Sequence, residues 1–226
     1  MRATFPLLVL SVSLLVLALT APPAHAQDAG PFPEPVYGGP ISAPHHDGPV
    51  DRPRLGAHFS LGGGGKVKFD GTGFDDDADP SVGFGLRFLY PLLTYVAVGA
   101  QFEMLWVRPA SSTQGRDPLM DILAVLEARY PFRVSDHDAE AYFEMPVGLS
   151  VFFPGDSAVD NGPGFALSLL GGARLWVTDR IGVYTDIGWG IHHTHNDVHG
   201  PFGAVGSTIE PILKQMIFHV GAHFAL

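Results

Sequence analysis

The chain has 226 residues, no cysteine, a charged fraction of only 16% and a formal net charge of −10. Without cysteine there can be no disulfide, no thiolate metal site and no lipid anchor on a cysteine. The acidic balance argues against nucleic acid as a partner.

Residues 1–26 read as an export signal. Arg2 is the positive start, Pro6 to Thr20 form an apolar run, and Ala24-His25-Ala26 is a small-x-small cleavage site. The run is short of the about 20 residues that a membrane helix needs. A mature chain beginning near Gln27 is expected, with a charge of −11 once Arg2 is lost. Residues 27–53 hold seven prolines and no apolar period, which predicts an extended tail with no core to bury. Its His45-His46-Asp47 is expected to be solvated rather than metal-bound.

From Arg54 onward the apolar residues recur with period two. Eight segments do so, 54–62, 81–90, 95–107, 120–130, 140–153, 165–177, 181–193 and 212–226. Most match the about 9–11 tilted residues of a transmembrane strand. In the third segment Val96, Val98, Ala100, Phe102, Met104 and Trp106 share one face, opposite Gln101 and Glu103. In the fifth, Phe143, Met145, Val147, Leu149 and Val151 oppose Glu140, Tyr142, Glu144 and Ser150. In the sixth, Phe165, Leu167, Leu169 and Leu175 oppose Ser168, Gly172 and Arg174.

One face is uniformly apolar, and the other mixes charges with small residues. A water-soluble barrel would carry a dense charged exterior, which this composition cannot supply. Small residues belong inside a narrow cylinder, where side chains just fill the space. The apolar face is then the lipid face, and a sheet in hydrocarbon has to close to satisfy its backbone. The expected fold is all-β: a closed eight-stranded antiparallel transmembrane up-and-down β-barrel over residues 54–226.

The connections agree. Links at 91–94, 131–139 and 178–180 are short or moderate, whereas 63–80, 108–119, 154–164 and 194–211 are long and polar. This asymmetry predicts periplasmic termini and external loops. Tyr90, Tyr130, Phe143 and Phe224 then mark the lower membrane interface, and Trp106, Phe153, Phe165 and Trp189 the upper. Lys214 falls on lipid-facing parity near the outer end of its strand, from which it can snorkel.

These features resemble the eight-stranded outer-membrane β-barrel family of Gram-negative bacteria, the OmpA/OmpX-type barrels. The likeness extends to the last eight residues, His219-Val220-Gly221-Ala222-His223-Phe224-Ala225-Leu226. They fit the family's assembly signal through His219, Gly221, Phe224 and Leu226, with Leu at the end where Phe is usual. The resemblance implies insertion by the outer-membrane assembly machinery, among outer-membrane lipids and lipopolysaccharide.

Parity places His58, Arg87, Gln101, Glu103, Glu127, Arg129, Tyr142, Glu144, Arg174, Tyr184, Asp186, Gln215, His219 and His223 in the lumen. Charges enclosed there have to pair, and Arg129 is the expected partner of Glu127 and Glu144. A polar plug is favoured over a narrow solute channel, because eight strands leave no wide pore.

The stretch GWGIHHTHNDVHG (188–200) carries the chain out of its seventh strand. His193, His195, Asp197 and His199 offer neutral nitrogens and a carboxylate that suit a divalent metal. Gly200 and Gly203 predict a mobile loop there, so at most weak metal binding is expected. His192-His193-Thr194-His195 also resembles, loosely, the His-x-Ser-Asn motif of lipid A deacylase barrels. Thr stands where the nucleophilic Ser belongs and His where Asn belongs, which argues against that activity. The acidic run Asp75-Asp76-Asp77-Ala78-Asp79 lacks the Gly and Glu of a calcium loop and is expected to be solvated. The expectation is a non-enzymatic barrel with a structural or surface role and no cofactor. A deacylase-like hydrolase using His192 and Thr194, a narrow channel and a surface metal binder are its alternatives.

Overall fold

A computed structural model describes residues 49–70, 74–108, 115–155, 159–199 and 205–226. The expected signal and the tail as far as residue 48, with His45-His46-Asp47, lie outside these residues. After a single 3-10 turn at Pro49–Asp51 come ten strands: β1 (Arg54–Asp70), β2 (Phe74–Asp77), β3 (Ser81–Leu93), β4 (Val96–Val107), β5 (Asp117–Val134), β6 (His137–Phe152), β7 (Gly162–Trp176), β8 (Ile181–Thr194), β9 (Asn196–His199) and β10 (Val205–Ala225).

Eight of them form an antiparallel ring in the order β1-β3-β4-β5-β6-β7-β8-β10, and β10 pairs back onto β1. The closing seam runs from Arg54↔Ala225 to Asp70↔Glu210. Each strand thus has a partner on both sides, the condition for crossing a bilayer as a sheet.

Alternation along the strands decides which residues fill the ring. On β4, Ala97, Gln101, Glu103, Leu105 and Val107 are buried, while Val98, Ala100 and Phe102 are not. Leu86, Ile122, Tyr130, Leu149 and Trp189 stand exposed on the outer face. In water this would be an aggregation surface; in lipid it is ordinary. Phe84 and Trp106 meet there with ring centroids 5.8 Å apart.

Several strands outrun the sequence reading at the long-loop end. β1 continues to Asp70 because Gly64, at φ 62°, allows a bulge between Gly63 and Lys66, after which pairing with β10 resumes. That glycine run erased the alternation that would have signalled the extension. The acidic segment is not a free loop either: Phe74–Asp77 pairs with β1, with Asp77 opposite Lys66 and Asp75 opposite Lys68. The opposite charges of Asp77 and Lys66 favour this register. Lys66 and Lys214 face each other across the seam, both exposed, where the apolar outer surface ends.

At the opposite end the 131–139 link shrinks to Ser135 and Asp136, since Val134↔His137 is already a strand pair. Ser135 takes φ 55° to make this turn. The end of the proline-rich stretch is not idle: Val50 is buried with Trp176 and Ala225, and Leu226 N–H donates to the Pro53 carbonyl at 2.8 Å.

Candidate functional site

The ring interior is layered. Nearest the short turns, Arg54 donates to both oxygens of Glu140, at 3.1 and 3.2 Å, and to Glu127. Arg174 donates to Glu140 at 2.5 Å, to Glu127 at 3.1 Å and to His223 Nδ1 at 2.9 Å. The indole N–H of Trp176 reaches Glu140 at 3.1 Å. Two guanidinium forks therefore clamp two carboxylates, a geometry their planar donors favour.

The middle layer centres on Arg87. It donates to Gln101 and Glu144, each at 2.9 Å, and stands 3.6 Å from Asp186. Its guanidinium lies 5.2 Å from the Tyr184 ring, and that of Arg174 lies 4.7 Å from the Tyr142 ring. The Tyr142 hydroxyl donates to Asp186 at 3.0 Å.

Arg129 departs from expectation. It donates to the carbonyls of Val50, at 2.5 Å, and Leu93, at 3.1 Å, and engages neither Glu127 nor Glu144. The register explains this. Arg129 sits opposite Tyr142, one step nearer the turns than the Glu127↔Glu144 pair, and Arg54 and Arg87 approach those carboxylates from across the lumen.

The third layer holds imidazoles. Glu103 accepts from Ser60 at 2.6 Å and from Gln101 at 3.1 Å. His219 bridges Glu103 and Asp186, with its Nε2 3.1 Å from the first and its Nδ1 2.8 Å from the second. His58 Nδ1 bonds the Tyr184 hydroxyl at 2.9 Å, and its Nε2 lies 4.0 Å from Glu103. Asp121, opposite Glu103 in register, lies 3.2 Å from His192 Nδ1.

Above this layer the interior turns apolar. Val67, Leu105, Val107, Leu119 and Leu213 form a buried cluster. Beside it lies a cavity of about 190 Å³, lined also by Phe152, Ile209, His192 and Thr194, with Arg108 and Asp117 at its border.

The lumen set Arg87, Glu103, Glu127, Arg129, Glu144, Arg174, Asp186 and His219 is buried throughout. The expected lumen set leaves out Arg54, Glu140 and Asp121, which are equally buried, although parity puts Glu140 on the polar face of its segment. Arg54 lies at the first position of β1, where no alternation precedes it, whereas Glu140 and Asp121 lie on lumenal parity within their strands.

Among the described residues, the rim set does not converge as one group. His193 and His195 are exposed and lean on Glu210, at 3.4 and 3.0 Å. Asp197 accepts from Thr208 at 2.9 Å, and the side chain of His199 lies outside the described residues. The expected loose loop is in part a hairpin, with β9 paired to β10 from Asn196↔Ile209 to His199↔Val205. His192 and Thr194 face inward instead, and the Thr194 hydroxyl donates to Asn196 Oδ1 at 3.0 Å rather than to the imidazole. In the assembly-signal segment His219 is lumenal, Phe224 and Leu226 are exposed, and Gly221 lets the Ala57 carbonyl approach to 2.3 Å of where a Cβ would stand.

No family model matches the sequence, and no curated protein does. Solved structures do match. The outer membrane protein OprG of Pseudomonas aeruginosa aligns with a TM-score of 0.50 at 14% identity, over 78% of this chain and 96% of its own. The outer membrane protein AlkL, solved in lipid bilayers, gives a TM-score of 0.50 at 18% identity, over 88% of this chain and 97% of its own. Ring closure, alternating faces and these likenesses agree: the protein has the fold of the eight-stranded outer-membrane β-barrels.

Proposed function

We propose that the protein is an integral outer-membrane barrel with a structural and surface role, closed to solutes and without enzymatic activity. Its termini face the periplasm and its long loops the exterior. The observation that carries this reading is the polar filling of the lumen, where Arg54, Arg87 and Arg174 pair with Glu127, Glu140, Glu144 and Asp186, and imidazoles engage Glu103 and Asp121 in the layer above. Two guanidinium clamps hold the turn end, and the segment before β1 sits under it through Val50. A conducting pore needs water along its axis, and these side chains occupy it. The interior resists opening because breaking any one ion pair strands a buried charge.

The test is conductance. Protein reconstituted in planar bilayers is expected to give no steps above the bare membrane. The double substitution Arg54→Ser and Arg174→Ser, which empties both clamps, is expected to raise ion leak if it still folds. Steady conductance from the wild type would replace this reading with a channel. The same preparation is expected to leave lipid A acylation unchanged, since Thr194 donates away from His192.

A second reading has one observation behind it. The mouth cavity is walled by Val67, Val107, Leu119 and Leu213. An apolar cup open to the exterior suits capture of a small apolar molecule.

A further inference from the structure

The plug does not balance its charges with arginine alone. Arg54 and Arg174 serve Glu127 and Glu140, and Arg87 serves Glu144 and Asp186. Glu103 and Asp121 are engaged instead by hydroxyl, amide and imidazole groups, although they stand directly opposite each other on β4 and β5. Two buried carboxylates side by side without a fixed cation are costly.

Glu103 has two imidazoles beside it. Ligand atoms of His58, Glu103 and His219 all lie within 4.8 Å of one another, and all three residues are buried. Glu103 Oε1 is 3.1 Å from His219 Nε2 and 4.0 Å from His58 Nε2. Ligands held about 2 Å from a tetrahedral ion stand roughly 3.3 Å apart, so these separations bracket the requirement. His58 Nε2 is buried and has no hydrogen-bond partner among the described residues.

The outer contacts match as well. In metal sites the nitrogen away from the ion bonds a carboxylate or other acceptor, which fixes ring orientation. Here His58 Nδ1 bonds the Tyr184 hydroxyl at 2.9 Å, and His219 Nδ1 lies 2.8 Å from Asp186 in an ion-pair contact rather than a hydrogen bond. The second oxygen of Glu103 is occupied by Gln101, and Oε1, which accepts from Ser60 at 2.6 Å, faces the imidazoles. The neighbouring group Glu144, Asp186 and His219 also converges, but Arg87 already neutralises its carboxylates.

We propose that His58, Glu103 and His219 form a buried site for a first-row divalent cation, with Zn2+ as the best-matched probe. Two nitrogens and one carboxylate oxygen suit zinc and leave a fourth position open. The site joins β1 and β10, the two strands of the closing seam, to β4 across the lumen. A bound ion thereby ties both strands of the closing seam to the opposite side of the ring. This inference requires the barrel fold but neither role proposed for it, and conductance results do not bear on it.

The experiment loads the full-length protein with Zn2+ during refolding in detergent, then desalts it against a chelator. The wild type is expected to retain one Zn2+ per barrel and to resist heat unfolding better than the metal-free protein. His58→Gln and Tyr184→Phe are expected to weaken retention, the latter by about 10–100-fold as the loss of an orienting partner does. The double variant His193→Ala, His195→Ala is expected to bind as wild type. Co2+ loaded in place of Zn2+ is expected to give the visible absorption of a tetrahedral site, a readout that needs no variant. A wild-type barrel that holds no metal, lacks the cobalt bands or loses its zinc in the rim double variant would overturn the proposal.

Discussion

Glu127 and Glu144 stand directly opposite one another on β5 and β6, an arrangement that repels unless each has its own cation. The lumen provides this separately, Arg54 and Arg174 to the first and Arg87 to the second. Arg174→Met is therefore expected to leave Glu127 and Glu140 each short of a partner and to lower stability by about 3–5 kcal/mol. Arg129→Met removes donors to two carbonyls and a part-exposed contact with Asp51 at 3.6 Å, and is expected to cost about 1–3 kcal/mol. Urea unfolding in lipid vesicles measures both. Equal losses, or none for Arg174, would show that the clamps are wet and the plug loose. Parity was enough to put Glu127, Glu144, Arg87, Arg129 and Arg174 indoors, because a period of two fixes the face. Who meets whom was not legible, because partners come from strands far apart in sequence, as with Arg54 and Glu140.

Among the strands, close approach is set by glycine. A Cβ on Gly188 would stand 1.8 Å from the Leu169 carbonyl oxygen, and one on Gly99 would stand 1.9 Å from that of Phe88. Both glycines lie on the lumenal parity of their strands, where a narrow ring brings neighbouring backbones together. Gly188→Ala is expected to force β7 and β8 apart and abolish the heat-dependent mobility shift of the folded barrel in gels. A variant that folds with wild-type yield would contradict this close packing. The sequence made the cores of eight strands readable, because lipid-facing residues alternate strictly there. It hid what lies past the membrane, where the outer face turns polar at Lys66, Lys68 and Lys214 while Val67 and Leu213 stay buried inside. β1 runs on through its glycines, β2 pairs acids with lysines, and β9 and β10 form a hairpin from residues expected to be loop.

For the whole molecule, the central claim is that the apolar exterior lies in lipid, the charged interior is sealed, and the long loops face out of the cell. Since the native chain has no cysteine, single thiols can report each surface without background. Leu149 is 64% exposed on the apolar face, Asn161 is exposed at the long-loop end, and Asp136 lies in the β5–β6 turn. Cysteine at each position, probed in intact cells, is the most direct measurement. Asn161→Cys is expected to react with an impermeant maleimide and Asp136→Cys only after the outer membrane is breached. Leu149→Cys is expected to react with a lipid-soluble reagent alone. Labelling of Asp136→Cys from outside intact cells would reverse the orientation, and labelling of Leu149→Cys by the impermeant reagent would place the apolar face in water.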